Sequence, residues 1–332
     1  MGRRKTFNKP SQAGQMAKDT LRRFPDLPKM TLANYLIKVH GDLYDDDIEK
    51  ARAKLRYWAG KSGKKDRGRG EKIPDDDRPT MPRSRAPVRT PYTLPHGTWL
   101  VLADAHVPYH SQRAVESAIQ HGQASGVDGV LLNGDVQDCK ALSFWPDIDR
   151  RSFPREVEAM IDFLDFLQGE FSGARFVYKP GNHEDRVDQY YASNAPELIG
   201  LPTAQLETVL GLEARAIEFL GRKQLINAGE LPIFHGHELR MVSTVVNPAR
   251  GLFQRCKHSA MGAHHHRSSE HNESDVTGRL HTTWSLGCLC DLKPDYNPEC
   301  NNWNHGFAIL SVEKDGSFEV ENRRILPNGK VV

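Results

Sequence analysis

Thr98-Trp99-Leu100-Val101-Leu102-Ala103-Asp104-Ala105-His106 is the stretch on which the reading of this chain turns. Its first residues, Thr98–Ala103, form an apolar run too short for a helix and suited to a strand covered on both faces. The run then stops at a carboxylate and an imidazole. The same layout recurs toward the C-terminus. Val127–Leu132 is a second apolar strand and runs into Asn133-Gly134-Asp135. Arg175–Tyr178 is a third, followed by Gly181-Asn182-His183-Glu184. Leu231–Phe234 is a fourth and meets His235-Gly236-His237, and further on comes Gly262-Ala263-His264-His265-His266. Amphipathic helices are expected over Arg113–Ser125 and Phe153–Phe171. Strands alternating with helices predict a parallel core sheet. The later β-type runs, Thr282–Leu289, Phe307–Val312 and Phe318–Ile325, lack intervening helices and predict an added antiparallel layer.

Carboxylate, imidazole and amide groups thus gather after strand after strand, where α/β sheets bind their ligands. A set of Asp, His and Asn suits a borderline divalent metal better than a thiolate-bound structural zinc. Each block alone has a bland explanation: Asp-x-His or Gly-Asp is commonly a turn or a cap, and a histidine triplet can be a solvated loop. The weight lies in their joint recurrence.

In this order the blocks resemble the pattern of the calcineurin-like metallophosphoesterase family: D-x-H, G-D, G-N-H-[DE], H, and G-H-x-H. The resemblance spans Asp104 to His266. It implies a metallophosphoesterase-type two-sheet α/β sandwich flanked by helices. It further implies that Asp104, His106 and His266 hold one metal, that Asn182, His235 and His264 hold a second, and that Asp135 bridges them. His183 would serve the leaving group as general acid, and Arg186 would grip a phosphate oxygen. Two divalent ions about 3.5–4 Å apart would clamp the phosphate and generate a bridging hydroxide as nucleophile. Mn suits these ligands, and Fe, Zn or Ni would also be tolerated. Ala263 departs from the family's glycine. Within the triplet only His264 and His266 are two apart, and a strand-like spacing would put both on one side. Either His235 or His237 could serve as the fourth-block ligand, with His235 preferred because it directly follows the strand. His258, His271, His281 and His305 have no place in the pattern.

The resemblance says more about reaction type than substrate. The Ser/Thr protein-phosphatase branch carries G-D-x-V-D-R-G and R-G-N-H-E, whereas this chain reads Gly134-Asp135-Val136-Gln137-Asp138-Cys139-Lys140 and Lys179-Pro180-Gly181-Asn182-His183-Glu184. The arrangement is closer to bacterial and phage members that cleave phosphodiesters, nucleases among them. The segments Leu286–Leu289 and Asn302–Phe307 look similar to the phage-borne branch. The polar-aromatic run Asn301–Phe307 suits either a wall of the substrate cleft or an ordered closing loop. A phosphomonoesterase or small cyclic-nucleotide diesterase is the alternative enzyme. A nucleic-acid-binding regulatory protein with a secondary metal site is the alternative of another class.

The N-terminal side of Thr98 differs in composition. Of 45 Lys+Arg and 43 Asp+Glu, residues 1–100 hold 23 and 12, leaving 22 and 31 for residues 101–332: a basic front on an acidic body. Residues 1–60 read as a small basic helical module of helix-turn-helix type. Its helices are expected at Met16–Phe24, from Thr31 as N-cap to His40, and after Asp45–Asp47. In the last of these, Ile48, Ala51, Leu55 and Trp58 share one face, Lys50, Arg52, Lys54 and Arg56 form the other, and Gly60 ends it. Residues 61–97, rich in Gly, Pro and basic side chains, read as a flexible linker, and 98–332 as the catalytic domain. The basic front points to a nucleic-acid partner, DNA or RNA. Five scattered cysteines exclude a disulfide scaffold, with Cys288 and Cys290 spaced for alternation on a strand. No apolar run reaches membrane-spanning length and no signal peptide is seen, so the cytoplasm is the expected compartment.

Overall fold

The computed structural model describes residues 10–60, 81–145, 152–239 and 246–332. The basic Lys61–Arg69 run and the acidic Asp75–Asp77 run of the expected linker lie outside them. The chain divides into two compact units, 1–86 and 87–332.

The first unit packs the helices Gln12–Arg23, Lys29–His40 and Ile48–Trp58 around Ala17, Leu32, Leu36, Tyr44, Ala51 and Leu55. Thr31 does not cap the second helix. That helix begins at Lys29 behind Pro28, which has no N–H to leave unsatisfied in a first turn. Asp47 caps the third, accepting from the N–H of Glu49 at 2.8 Å. The basic face of this helix is largely neutralised. Lys50 pairs with Asp45 at 2.6 Å, and Arg52 and Arg56 both reach Glu49.

The second unit holds two six-stranded sheets. Its strands are β1 (Tyr92–Thr93), β2 (Gly97–Leu102), β3 (Gly129–Asn133), β4 (Arg175–Lys179), β5 (Ile217–Phe219), β6 (Ile226–Ala228), β7 (Leu231–Ile233), β8 (Ala260–Gly262), β9 (Ser269–Ser274), β10 (Leu280–Ser285), β11 (His305–Val312) and β12 (Phe318–Ile325). One sheet runs β12-β11-β2-β3-β4-β5, with β2 to β5 parallel. The other runs β1-β6-β7-β8-β10-β9. The result is the expected α/β sandwich of two sheets flanked by helices.

Three expectations change. Leu231–Ile233 is not the fourth strand of the parallel sheet; that place belongs to Ile217–Phe219, a run too short to be seen by periodicity. The late strands form no separate layer: β11 and β12 extend the parallel sheet antiparallel from β2, while β10 joins β8 in the other sheet. The domain also starts before Thr98, because Tyr92 pairs with Ile226 and Leu94 is buried.

Alternation inside the apolar strands explains their unbroken hydrophobicity. Leu100, Leu102, Val130, Leu132, Phe176 and Tyr178 face the helices Gln112–Ala124 and Phe153–Glu170. Trp99, Val101, Leu131 and Val177 face the opposite way, onto Ile226, Ile233 and Met261 of the second sheet. Both faces are covered, so the middle of each strand is apolar at successive positions. Among the described residues no helix is long and apolar enough to cross a membrane.

Gly129 lies under the Trp99 ring, where an added Cβ would come within 2.5 Å of the indole. Gly129→Ala should therefore destabilise the domain by about 1–3 kcal/mol through overpacking. The check is thermal unfolding, where Tm should drop by several degrees.

Candidate metal centre

The carboxyl ends of β2, β3 and β4 in one sheet and of β7 and β8 in the other converge on one spot. Asn133 Nδ2, at the end of β3, donates to the Phe234 carbonyl at 2.9 Å and ties the two sheets together there, while Ala263 N–H donates to the His235 carbonyl at 2.7 Å and joins the ends of β8 and β7. The donor side chains sit on these turns. Asp104, His106, Asp135, His264 and His266 all have φ between 50° and 68°. The left-handed region is unfavourable for any residue with a Cβ, and its concentration in one site marks backbone held by its surroundings.

Most of the candidate ligands come together. His106 Nε2 lies 3.2 Å from His266 Nε2, which lies 3.2 Å from Asp104 Oδ1. His235 Nε2 is 3.2 Å and His264 Nδ1 4.0 Å from Asp135 Oδ2. Asp135 belongs to two compact donor groups, one with His106 and His183, the other with His235 and His264. Its Oδ1 accepts the His183 N–H at 2.8 Å, which leaves Oδ2 turned toward the histidines. Asp104 Oδ1, Asn182 Oδ1 and His235 Nε2 are buried without a hydrogen-bond partner. Asp104 Oδ1 and His235 Nε2 lie 3.9 Å apart, and buried oxygen and imidazole nitrogen atoms left without partners fit a divalent cation.

His235, not His237, is the histidine directed at the carboxylates. Its Nδ1 donates to the Asn133 carbonyl at 2.8 Å, which turns Nε2 inward. His237 instead faces Asp185 at 3.6 Å, with its ring 5.4 Å from that of His235. His264 and His266 are not on one side of a strand: both lie in a left-handed turn after β8, and they diverge. The His266 ring is buried against His106, while the His264 ring approaches His235 at 5.2 Å. Two glycines make the room. A Cβ on Gly134 would sit 2.4 Å from His235 Nδ1, and one on Gly181 would sit 2.2 Å from Asp135 Oδ1.

Residues that the sequence did not single out build the support. Asp138 accepts from Nδ1 of both His106, at 2.9 Å, and His183, at 2.8 Å. It thereby fixes the Nε2 of each toward the centre. Burial raises the Asp138 carboxyl, but those two imidazoles overcome it and hold it below the usual range. Glu184 accepts from the N–H groups of Asp135, Val136, Gln137 and Gly181 and from the Tyr178 hydroxyl, at 2.8–3.0 Å. Cys290 Sγ lies 3.7 Å from His266 Nδ1. Cys288 and Cys290 are both buried, on the turn after β10 and not within a strand. A signal for Asp138 was present in its three-residue spacing from Asp135, but nothing local to Cys290 announces its neighbour. Arg186 is at the site, with Nη1 donating to the Asp138 carbonyl at 2.8 Å and Nη2 3.2 Å from His183 Nε2. Of the unplaced histidines, His271 pairs with Glu273, His281 with Asp275, and His305 with the Cys290 carbonyl. His258 stacks near His281.

No protein-family model matches the chain, and no curated protein matches it. Similar solved structures include Vacuolar Protein Sorting 29 from Cryptosporidium parvum, at 13% identity and TM-score 0.34 over 70% of this chain and 99% of that one. Wild-type Vps29 from Entamoeba histolytica complexed with zinc aligns at 16% identity and TM-score 0.35, covering 71% and 96%. A dimetal phosphatase from Danio rerio aligns at 13% and 0.31, covering 69% and 96%. At such scores the donor geometry has to carry the functional argument.

Two outcomes follow. Glu184→Gln puts an amide N–H₂ against backbone N–H donors, so divalent-metal affinity should fall about 10–100-fold, read by calorimetric titration. Burial lowers the basicity of His235, but Asp135 and then Asp104 raise it from 6.5 to about 10. A cation must displace that proton from Nε2. Metal binding at pH 7 should therefore release protons and weaken as pH falls, which titration in buffers of different ionisation enthalpy would show.

Proposed function

We propose that this chain is a two-metal phosphodiesterase acting on nucleic acid. The observation that carries the reading is the pair of donor groups sharing Asp135, one with His106 and His183, the other with His235 and His264, in which Asp138 orients His183. Asp104, His106 and His266 would hold one ion, Asn182, His235 and His264 the other. Bound there, two divalent cations, Mn by preference and Fe, Zn or Ni as substitutes, would neutralise the phosphate and supply an acidified water.

The protein's own groups do the rest. Asp138 keeps His183 Nδ1 protonated, so Nε2 is the atom that meets the leaving oxygen and, when protonated, donates to it. Nε2 is 3.8 Å from Asp135 Oδ2, which places it at the edge of the shared carboxylate. Arg186 now donates toward His183 Nε2. A phosphate oxygen entering the site would compete for the same guanidinium, freeing Nε2 for the leaving group.

The nucleic-acid part of the reading rests on the charge asymmetry, 23 Lys+Arg against 12 Asp+Glu in residues 1–100. The ion pairs of Lys50, Arg52 and Arg56 are solvent-exposed and screened, so phosphates can displace the carboxylates at little cost. Relation to the bacterial and phage phosphodiesterases belongs to the same proposal, as does the absence of the phosphatase-type arginine at Cys139.

With Mn restored to metal-stripped protein, bis-p-nitrophenyl phosphate should be hydrolysed faster than p-nitrophenyl phosphate. His183→Ala should lower kcat about 10²–10⁴-fold with metal content retained, and Asp135→Asn should lose both metal and activity. Hydrolysis of the monoester alone would replace the reading by a phosphomonoesterase. No turnover with Mn, Fe, Zn or Ni would leave a binding protein with a secondary metal site.

A further inference from the structure

The rim of the metal centre carries aromatic rings that metal binding does not use. The Trp303 ring lies 4.2 Å from the ring of His266, edge-on at 62°. Tyr296 stands 6.3 Å beyond Trp303, at the same inclination, and remains 63% exposed. The ammonium of Lys140 sits 5.3 Å over the Tyr296 ring, although Lys140 belongs to another loop, the one that follows Asp138. These rings form a rail that starts at a candidate metal ligand and runs outward into solvent.

The loop holds its shape without burying Tyr296. Asn301 Nδ2 donates to the carbonyls of Leu292, at 2.7 Å, and Asn297, at 2.9 Å, while its Oδ1 accepts the Trp303 N–H at 3.1 Å. Asp291 N–H donates to the Tyr109 carbonyl at 2.8 Å, anchoring the start of the loop to the turn after β2. The aromatic face is therefore presented by hydrogen bonds in the backbone beneath it, not by packing over it. The Tyr296 hydroxyl is pushed above its ordinary value by partial burial and then by Cys290, Asp138 and Asp135, with Arg186 opposing. Phe144 and Trp145, 89% and 74% exposed, form a further edge-to-face pair on the Asp138–Lys140 side of the chain.

A ligand matching this surface needs an anionic phosphoester for the metal pair and Arg186, and next to it a flat ring for Trp303 and Tyr296. A phosphodiester that links base-bearing nucleosides has both. We infer that Tyr296 and Trp303 form a stacking platform for the base beside the scissile phosphate, which makes the substrate an unpaired, base-bearing strand. A base inside a duplex is already stacked on its neighbours and has no free face to offer. The inference rests on the phosphodiesterase reading above and adds the substrate class. Every base has a π-face, so stacking of this kind confers preference for bases without preference among them.

The test uses Mn-loaded full-length protein and three substrates: a thymine oligonucleotide, an abasic oligonucleotide of equal length, and the thymine strand annealed to its complement. Wild-type kcat/KM should favour the single thymine strand over the abasic strand about tenfold, and over the duplex. Tyr296→Ala should bring the thymine-to-abasic ratio close to one, and Tyr296→Phe should keep it, with metal content measured in each variant. A wild-type ratio near one, or a ratio unmoved in Tyr296→Ala, would overturn the platform while the diesterase reading stands. Preference for the duplex would overturn it equally. Failure to cut any strand, with bis-p-nitrophenyl phosphate still hydrolysed, removes nucleic acid as the substrate. Loss of that activity as well brings down the diesterase reading itself.

Discussion

One buried carboxylate holds the site together. Glu184 gathers the N–H groups of Asp135, Val136 and Gln137 after β3, that of Gly181 after β4, and the hydroxyl of Tyr178. Five donors converge on its two buried oxygens; burial and the nearby Asp135 push the carboxyl up, and these donors oppose that shift. The arrangement fixes the two turns relative to each other. Asp135 and Asn182 leave those same turns, so the clasp positions the backbone that carries both.

Around it the backbone is driven where side chains resist going. Five donor residues occupy the left-handed region, at a cost of order 1–3 kcal/mol each. The two sheets supply the opposing stabilisation, through a core that covers both faces of β2, β3 and β4. Such turns aim a short side chain such as Asp back over the strand end, which an extended residue cannot do. Gly134 and Gly181 contribute by having no Cβ where the His235 ring and the Asp135 carboxylate pass.

Charge follows the same logic. Asp104 and Asp135 are buried among imidazoles, and their charges hold the protons of His235 and His266 well above the usual range. His106 differs: burial and the neighbouring His183 lower it to about 4, against the pull of Asp138, so it offers a neutral Nε2. A divalent cation bound there would have to displace the protons of His235 and His266, and Asp138 links His106 to His183 through a single carboxylate.

The sequence by itself determined the strand ends. Asp104, Asp135, Asn182, His183 and His235 each follow an apolar run, and a strand buried on both faces can be read from local hydrophobicity alone. Within the histidine triplet it was the resemblance, with its H-x-H block, that implied His264 and His266. Tertiary structure decided what depends on contacts remote in the chain. It chose His235 over His237 through the Asn133 carbonyl, 102 residues away. It turned His264 and His266 apart where a strand would have put both on one side, since a left-handed turn has no hydrophobic signature. It placed β7 in the second sheet and β11 beside β2, pairings set by cross-strand registers that periodicity does not encode. Cys290 behind His266, and Lys140 over Tyr296, likewise arise from loops meeting in space, where the physical cause is proximity and no local pattern of residues announces it.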